Sequence, residues 1–539
     1  MDAHPRSRYL VATLALLIIP IILVLVSVWL KEARGPYWLG SNSDPSYAYL
    51  FNGLGLLHLY SPSHIDHPGT PLQMLCALVI GIRHLFFGKG FLIEDVLRNP
   101  EVYLGLSQTI LLFFYSGALI AVGWVTLLLT QNLADALLIQ ATPFLSLSVV
   151  RETTDVLPES LQITLVMILV GLLLCGLRNP SSRGTKYLSA SYGLLVGILT
   201  ATKITALPLV VLPLLILPSN QNRRQYVLMA IAGCLISVLP ILSQAPRFIQ
   251  WVARLAVHTG HYGAGPIGLI DTGRYAVFLR SLLLREVVFG GILIGSVLVL
   301  IGFRKKKGAV SESCFEVAHL YKGLLALTVV EIFQLLLVAK HPSAHYLTPS
   351  LGLLGFNLFL WLEMFGTVTD NKLRYMLYAL LAVVVAGALV YEGIKVRDIH
   401  DRFSHYRHEQ MTIHRQARES YGTSRIIQYY RCSSIEYALQ FGNKLASRRF
   451  EKQLRRLYPQ AYFYDIWGKS YSRFGSHLQL EQILAGAEGV IYQGSPFSGD
   501  HRKYIPQGVV LEKLCPDKIE VLYRIKDLLN SACSRGRIE

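Results

Sequence analysis

The chain has 539 residues, a formal net charge of +17, 52% hydrophobic residues and only 16% charged ones. A soluble domain carries roughly 25% charged residues, so the composition excludes an ordinary soluble enzyme and points to a polytopic membrane protein. The surplus of Lys and Arg suits cytoplasmic loops, phosphate and anionic lipid, and it needs no nucleic acid.

His4, Arg6 and Arg8 precede a first apolar span at about 9–30. Positive flanking charge puts the N-terminus in the cytoplasm, and no small-residue cleavage site follows, so the helix is expected to be retained. Residues 31–104 are then expected outside. Within them, 71–87 is short, carries Arg83 and His84, and reads as an interfacial amphipathic helix. Further apolar segments follow near 105–130, 133–150, 161–178, 187–218, 225–243, 287–303, 321–339, 347–365 and 373–392. The segment 187–218 is too long for one span, and Pro208 and Pro213 interrupt it, so it reads as two short helices broken near 203–208. The basic connectors 178–186, 220–224, 304–307 and 371–374 then all fall in the cytoplasm. This gives about eleven spans and an extracytoplasmic C-terminus, with no internal repeat.

Residues 1–392 are read as the transmembrane domain and 393–539 as a soluble α/β domain. The latter holds 24 Lys+Arg against 15 Asp+Glu. A polar connecting helix is expected at 393–420, strands at 425–430, 462–467 and 489–492, and a helix over 436–445 capped by Ser433 or Ser434. Seven cysteines without a CxxC pair argue against a structural zinc. Cys432, Cys515 and Cys533 lie in this tail, where one disulfide is open.

The stretch 41–71 holds Asp44, His58, His64, Asp66 and His67 and no Lys or Arg. Two carboxylates and three imidazoles in one loop beside a span supply acid–base and metal-binding chemistry. A polar connector with Pro and Gly turns would also look like this. Asp44 can act as a general base at the edge of an apolar cavity, or start a helix with Pro45. Asp66 can orient His67, or form a turn with Pro68. A second acidic loop carries Arg151, Glu152, Asp155 and Glu159, whose acids also suit a helix start. Lys203 interrupts an apolar stretch, where a cation tends to face a cavity or a partner, or to snorkel. Residues 244–286 carry five Arg, including Arg274, with His258, His261, Tyr262 and Tyr275 interleaved, a surface suited to phosphate. A last loop holds Lys340, His341, His345 and Tyr346.

The order of these elements resembles the GT-C superfamily of membrane glycosyltransferases, the group of protein O-mannosyltransferases and lipid A aminoarabinose transferases. The resemblance rests on an acid soon after the first span, a His67-Pro-Gly element, Arg151-Glu-Thr-Thr-Asp155-Val-Leu-Pro158, Gly197-Ile-Leu-Thr-Ala-Thr-Lys203-Ile-Thr-Ala-Leu-Pro208 and His345-Tyr-Leu-Thr-Pro349. It covers about residues 9–365. Ser433–Asn443 resembles tail domains of bacterial members.

The resemblance implies an inverting glycosyltransferase of a bacterial inner membrane with a periplasmic tail domain. Its partners would be a polyprenyl-phosphate sugar donor and a lipid, glycan or protein acceptor. Asp44 would be the general base and Asp155 the second acid. His67, Lys203, Arg274, His345 and Tyr346 would bind the donor phosphate, supported by Asp66, Glu159 and Arg151. No cofactor is implied with certainty. A divalent metal ion stays open, with Asp44 and Asp155 as its ligands if present. Two departures are visible: Pro45 stands where several relatives have a second acid, and His345 where Arg is common. The competing readings are a flippase for lipid-linked sugars, expected to show repeated halves, and a non-catalytic assembly protein that has lost the acids.

Overall fold

The computed structural model describes residues 5–66, 68–178, 182–259, 263–304, 316–341, 343–368, 370–515 and 519–528. The chain divides into two compact units. One comprises Met1–Trp29, Ile65–Leu72 and Gln108–Asp398, the other Leu30–His64, Gln73–Ser107 and Ile399–Glu539.

The first unit is a multi-pass helical bundle. Among the described residues, eight helices of the chain are long and apolar enough to cross a membrane, or up to nine if the bent pair Gly273–Arg285 and Val287–Phe303 is one span. The sequence reading of about eleven counted two stretches that fold in shorter pieces. Residues 133–150 become Leu133–Gln140, the 3₁₀ turn Thr142–Leu145 and the short helix Leu147–Glu152; Pro143 cannot continue an α-helical ladder. Residues 187–218 lie in Ser182–Thr202, a 3₁₀ segment Ile204–Val210 and Val211–Ile216, with Lys203 extended between the first two. The break therefore falls at the lysine itself.

Small residues set the closest helix contacts in this unit. Helices Ser182–Thr202 and Asn220–Val238 meet along Gly193 and Gly197 on one side and Gly233 on the other. A Cβ on Gly233 would lie 2.6 Å from the Leu194 carbonyl oxygen. Backbones approach this closely in a membrane only where side chains are absent. Val166, Val170, Leu324 and Phe356 are buried in the core of this unit.

In the second unit, seven strands form one mixed sheet. They are β1 (Arg425–Gln428), β2 (Tyr462–Asp465), β3 (Ser470–Arg473), β4 (Ser476–Leu478), β5 (Val490–Gly494), β6 (Val509–Lys513) and β7 (Val521–Leu528), in the order β4-β3-β2-β1-β5-β7-β6. β1 pairs in parallel with β2 and β5, and the outer pairs are antiparallel. Every residue of β5 is buried, as a central strand requires. Helix Ile435–Leu445 starts where expected: Ser434 Oγ accepts the Tyr437 backbone N–H at 3.0 Å. Cys432 and Cys515 are free thiols, and Cys533 lies outside the described residues.

The last span and the expected connecting helix are one rod, Asn371–Glu419, of 49 residues. It contains no proline, and its only glycines are Gly387 and Gly393, so nothing local ends it at the apolar-to-polar change.

Helix Thr70–Phe87 is long and apolar enough to cross a membrane by length and composition, where the sequence reading put an interfacial helix. In 244–286, helix Ala245–Val257 is the last part of the candidate span Asn220–Val257, and Thr272–Arg285 follows with Asp271 capping its N-terminus.

Candidate active site

The first unit gathers charge where its helices break. Lys203 ends helix Ser182–Thr202, and its backbone is fully used. Its N–H donates to the Leu199 carbonyl at 3.1 Å, and its own carbonyl accepts from Gln162 Nε2 at 3.1 Å. It also bridges to Pro68 in antiparallel fashion. The side chain is 3% exposed and forms an ion pair with Glu159. Glu159 sits in the first turn of helix Pro158–Arg178, where the helix dipole also favours a carboxylate.

His345 and Tyr346 arrive on the 3₁₀ turn Ala344–Leu347. His345 Nε2 lies 3.9 Å from the same Glu159 oxygen, and its Nδ1 is 2.8 Å from Ser343 Oγ. The Tyr346 ring lies against the Lys203 ammonium, 4.8 Å from centroid to Nζ, a cation–π distance. Gln334 Nε2 fixes the turn by donating to the Tyr346 carbonyl at 2.7 Å.

Glu152 closes the group. It is 1% exposed and lies 2.8 Å, through Oε1, from Thr348 Oγ1. The same hydroxyl is 2.6 Å from the His345 carbonyl oxygen. A hydroxyl has one hydrogen to give. Thr348 shares that hydrogen between the Glu152 carboxyl and the His345 carbonyl. Burial, reinforced by the Glu159 carboxylate, pushes Glu152 well above the usual carboxylate range, against the opposing charge of Arg151. The group brings the Lys203 and Arg151 cations together with the Glu159 and Glu152 carboxyls.

Asp155 is 1% exposed, and its Oδ1 accepts the Val156 N–H at 2.9 Å. Its loop is fastened from several sides. Ser146 Oγ and Ser148 Oγ donate to the two Glu286 oxygens at 2.9 and 2.6 Å. The Leu147 N–H donates to Glu392 at 2.7 Å, and Lys395 neutralises Glu392 at 2.8 Å.

Asp44 belongs to the second unit. It is exposed, in a turn ahead of helix Ser46–Leu57. Pro45 flanks the helix start, so Asp44 is not the N-cap that Asp-Pro suggested. The turn is held by the C-terminal residues. The Gly40 N–H donates to Ser433 Oγ at 3.0 Å, Ser41 Oγ donates to Gln410 at 2.9 Å, and the Trp38 and His414 rings lie 4.7 Å apart. Helix Ser46–Leu57 packs on helix Ile435–Leu445 at Gly442, where a Cβ would lie 2.7 Å from both the Tyr47 carbonyl and the Phe51 ring.

Of the residues singled out in the sequence, Lys203, Glu159, His345 and Tyr346 therefore meet, beside Arg151. Arg274 does not join them. It is an exposed residue 3.9 Å from Asp271 on its own helix. Asp66 is half-buried, and His67 lies outside the described residues. Glu152 and Thr348 carried no assigned role in the sequence. They are 196 residues apart, and only the fold joins them. Among the described residues no group of three or more His, Cys, Asp or Glu could hold a metal ion.

Fold and site together define a multi-pass helical membrane protein with a cluster of charged side chains around the buried Lys203–Glu159 pair at a helix break. No family model matches the sequence, and no curated protein matches it. Among solved structures the chain is similar to ArnT from Cupriavidus metallidurans bound to undecaprenyl phosphate, with a TM-score of 0.48 and 11% identity over 94% of this chain and 97% of that one. It is also similar to the apo state of ArnT from the same organism, with a TM-score of 0.44, 11% identity and the same coverage.

Proposed function

We propose that the chain is an inverting glycosyltransferase of a bacterial inner membrane. It takes a sugar from a polyprenyl-phosphate donor and passes it to a lipid, glycan or protein acceptor on the extracytoplasmic face, where residues 393–539 also lie. The observation that carries this reading is the buried cluster of Lys203, Glu159, His345, Tyr346, Glu152 and Arg151. A buried lysine in an apolar bundle tends to mark a functional site. A phosphate carried by a lipid is an anion suited to that depth. The order of motifs in the sequence supports the same reading.

Lys203, His345 and Tyr346 receive the donor phosphate, a role that the order of motifs in the sequence extends to His67 and Arg274. Asp44 takes a proton from the acceptor hydroxyl or amine. The acceptor atom bonds to the anomeric carbon from the side opposite the phosphate, and the configuration inverts. The carbon–oxygen bond to the phosphate breaks, and its electron pair stays on the phosphate oxygen. The charge that develops there is what the Lys203 group stabilises. Asp155 serves as the second acid of the site.

Purified chain in nanodiscs, given polyprenyl-phosphate sugars that differ in the sugar, is expected to release polyprenyl phosphate with at least one of them. Lys203→Met is expected to lower that rate by about 10²–10³, the range for loss of one stabilising donor. Movement of intact donor between leaflets without release would make the chain a transporter instead.

A further inference from the structure

Far from the candidate active site, the bundle has a second basic feature. Helices Pro158–Arg178, Ser182–Thr202, Val211–Ile216 and Val317–Ala339 enclose a cavity of about 220 Å³ at one end, lined among others by Leu177, Tyr192, Leu217, Arg223, His319 and Lys322. Arg223 also borders a shallower depression with Arg224, Val227 and Leu228.

We propose that this cavity binds the phosphate headgroup of an anionic phospholipid from the surrounding bilayer. Its cations are Arg223 and Lys322, with the His319 imidazole beside them. The acid paired with them is Glu316, 66% exposed and 3.5 Å from His319. Arg223 has five N–H donors. One goes to the Leu217 carbonyl at 3.2 Å and one to Asn220 at 3.4 Å, which leaves its fork able to take a phosphate. The volume is many times the roughly 10–15 Å³ that one water needs, yet below the roughly 300–1,000 Å³ of pockets for drug-sized ligands. It suits a headgroup. Exposed apolar side chains continue outward from the cavity, with Leu215 at 45% and Leu228 at 62% exposed. A free phosphate has no use for that flank; acyl chains do.

The cavity lies at the ends of helices joined by Lys- and Arg-rich connectors, the arrangement in which membrane proteins hold anionic headgroups. Thr185, also on its wall, and Lys203 are separated by one helix, about 27 Å at 1.5 Å per residue. The bound lipid is therefore a brace for the helix that carries Lys203, and it does not compete with the donor.

The test uses the full chain in nanodiscs of phosphatidylcholine, with and without cardiolipin, read by thermal unfolding and by native mass spectrometry. Cardiolipin is expected to raise Tm by several degrees, because a ligand that binds only the folded state stabilises it, and to remain bound in the spectrum. Arg223→Gln with Lys322→Gln is expected to lose both effects while keeping its Tm in phosphatidylcholine. His319→Gln serves if the double variant does not fold. Arg374→Gln, a cation in another connector, is expected to keep both effects. Inorganic phosphate in phosphatidylcholine nanodiscs is expected to change nothing. A shift with phosphate alone would show a soluble anion site and overturn the lipid assignment. So would a cardiolipin effect that survives in the Arg223/Lys322 variant, or none in the unaltered chain.

Discussion

Lys203 and Glu159 form an ion pair whose side chains are 4% and 3% exposed. Removing one partner of such a pair leaves a bare buried charge and costs about 3–5 kcal/mol, whereas replacing both with apolar groups is often neutral. Lys203→Met is therefore expected to lower Tm sharply, and Lys203→Met with Glu159→Leu to restore it. Donor turnover is expected to stay low in both variants. Recovery of turnover together with Tm in the double variant would reduce the pair to a structural one.

Glu152 gives a cleaner separation. Burial holds its carboxyl well above the usual carboxylate range, and Glu152→Gln puts a neutral amide in its place. A carboxyl whose folded pKa is raised costs nothing while it is protonated in both states. It destabilises increasingly as pH rises above the unfolded value, about 4.3. Glu152→Gln is thus expected to match the unaltered chain at pH 4 and to exceed it in Tm at pH 8. Thr348→Val, which leaves the Glu152 carboxyl without its partner, is expected to cost about 1–3 kcal/mol. Thermal unfolding across pH checks both.

The turn bearing Asp44 depends on a seam 393 residues away in sequence, through Gly40 and Ser433. Gly442 is one of its close approaches. Gly442→Ala is expected to overpack the seam by about 1–3 kcal/mol and to lower turnover. Lys444→Ala, on the same helix, removes an ion pair to Asp465 at a 45% exposed site and is expected to stay within about 0.5 kcal/mol.

Glu520 makes stability depend on pH at this seam. It accepts the Ser433 N–H at 2.9 Å and Gln493 Nε2 at 2.7 Å, and burial pushes its carboxyl up to about 7. The unfolded chain loses this proton near 4.3. Stability is therefore expected to fall as pH rises from about 4.3 to 7, by an amount on the order of a few kcal/mol, and then to level off. In Glu520→Gln that segment of the Tm–pH curve is expected to flatten.

Much of this was legible in the sequence where the signal is local. The helix break at Lys203, the Ser434 cap and the strands near 425, 462 and 490 follow from proline positions, capping chemistry and apolar runs. β3 and β4 were not legible, since Ser470–Arg473 and Ser476–Leu478 are short and mostly polar, with no clean alternation. The rod Asn371–Glu419 hid behind a change in composition that ends no helix. The partners Thr348 for Glu152 and Glu286 for Ser146 are 196 and 138 or more residues distant, and no pattern along the chain predicts such pairs. The roles of Asp44 and Asp155 remain the proposal of the sequence.

The most direct measurement compares Asp44→Asn with the unaltered chain in release of polyprenyl phosphate from its donor, with donor binding measured alongside. Asparagine keeps the shape and cannot take the proton. The account predicts donor binding within a few-fold and release reduced by about 10²–10⁴, the share of general base catalysis. Release at the unaltered rate would contradict it.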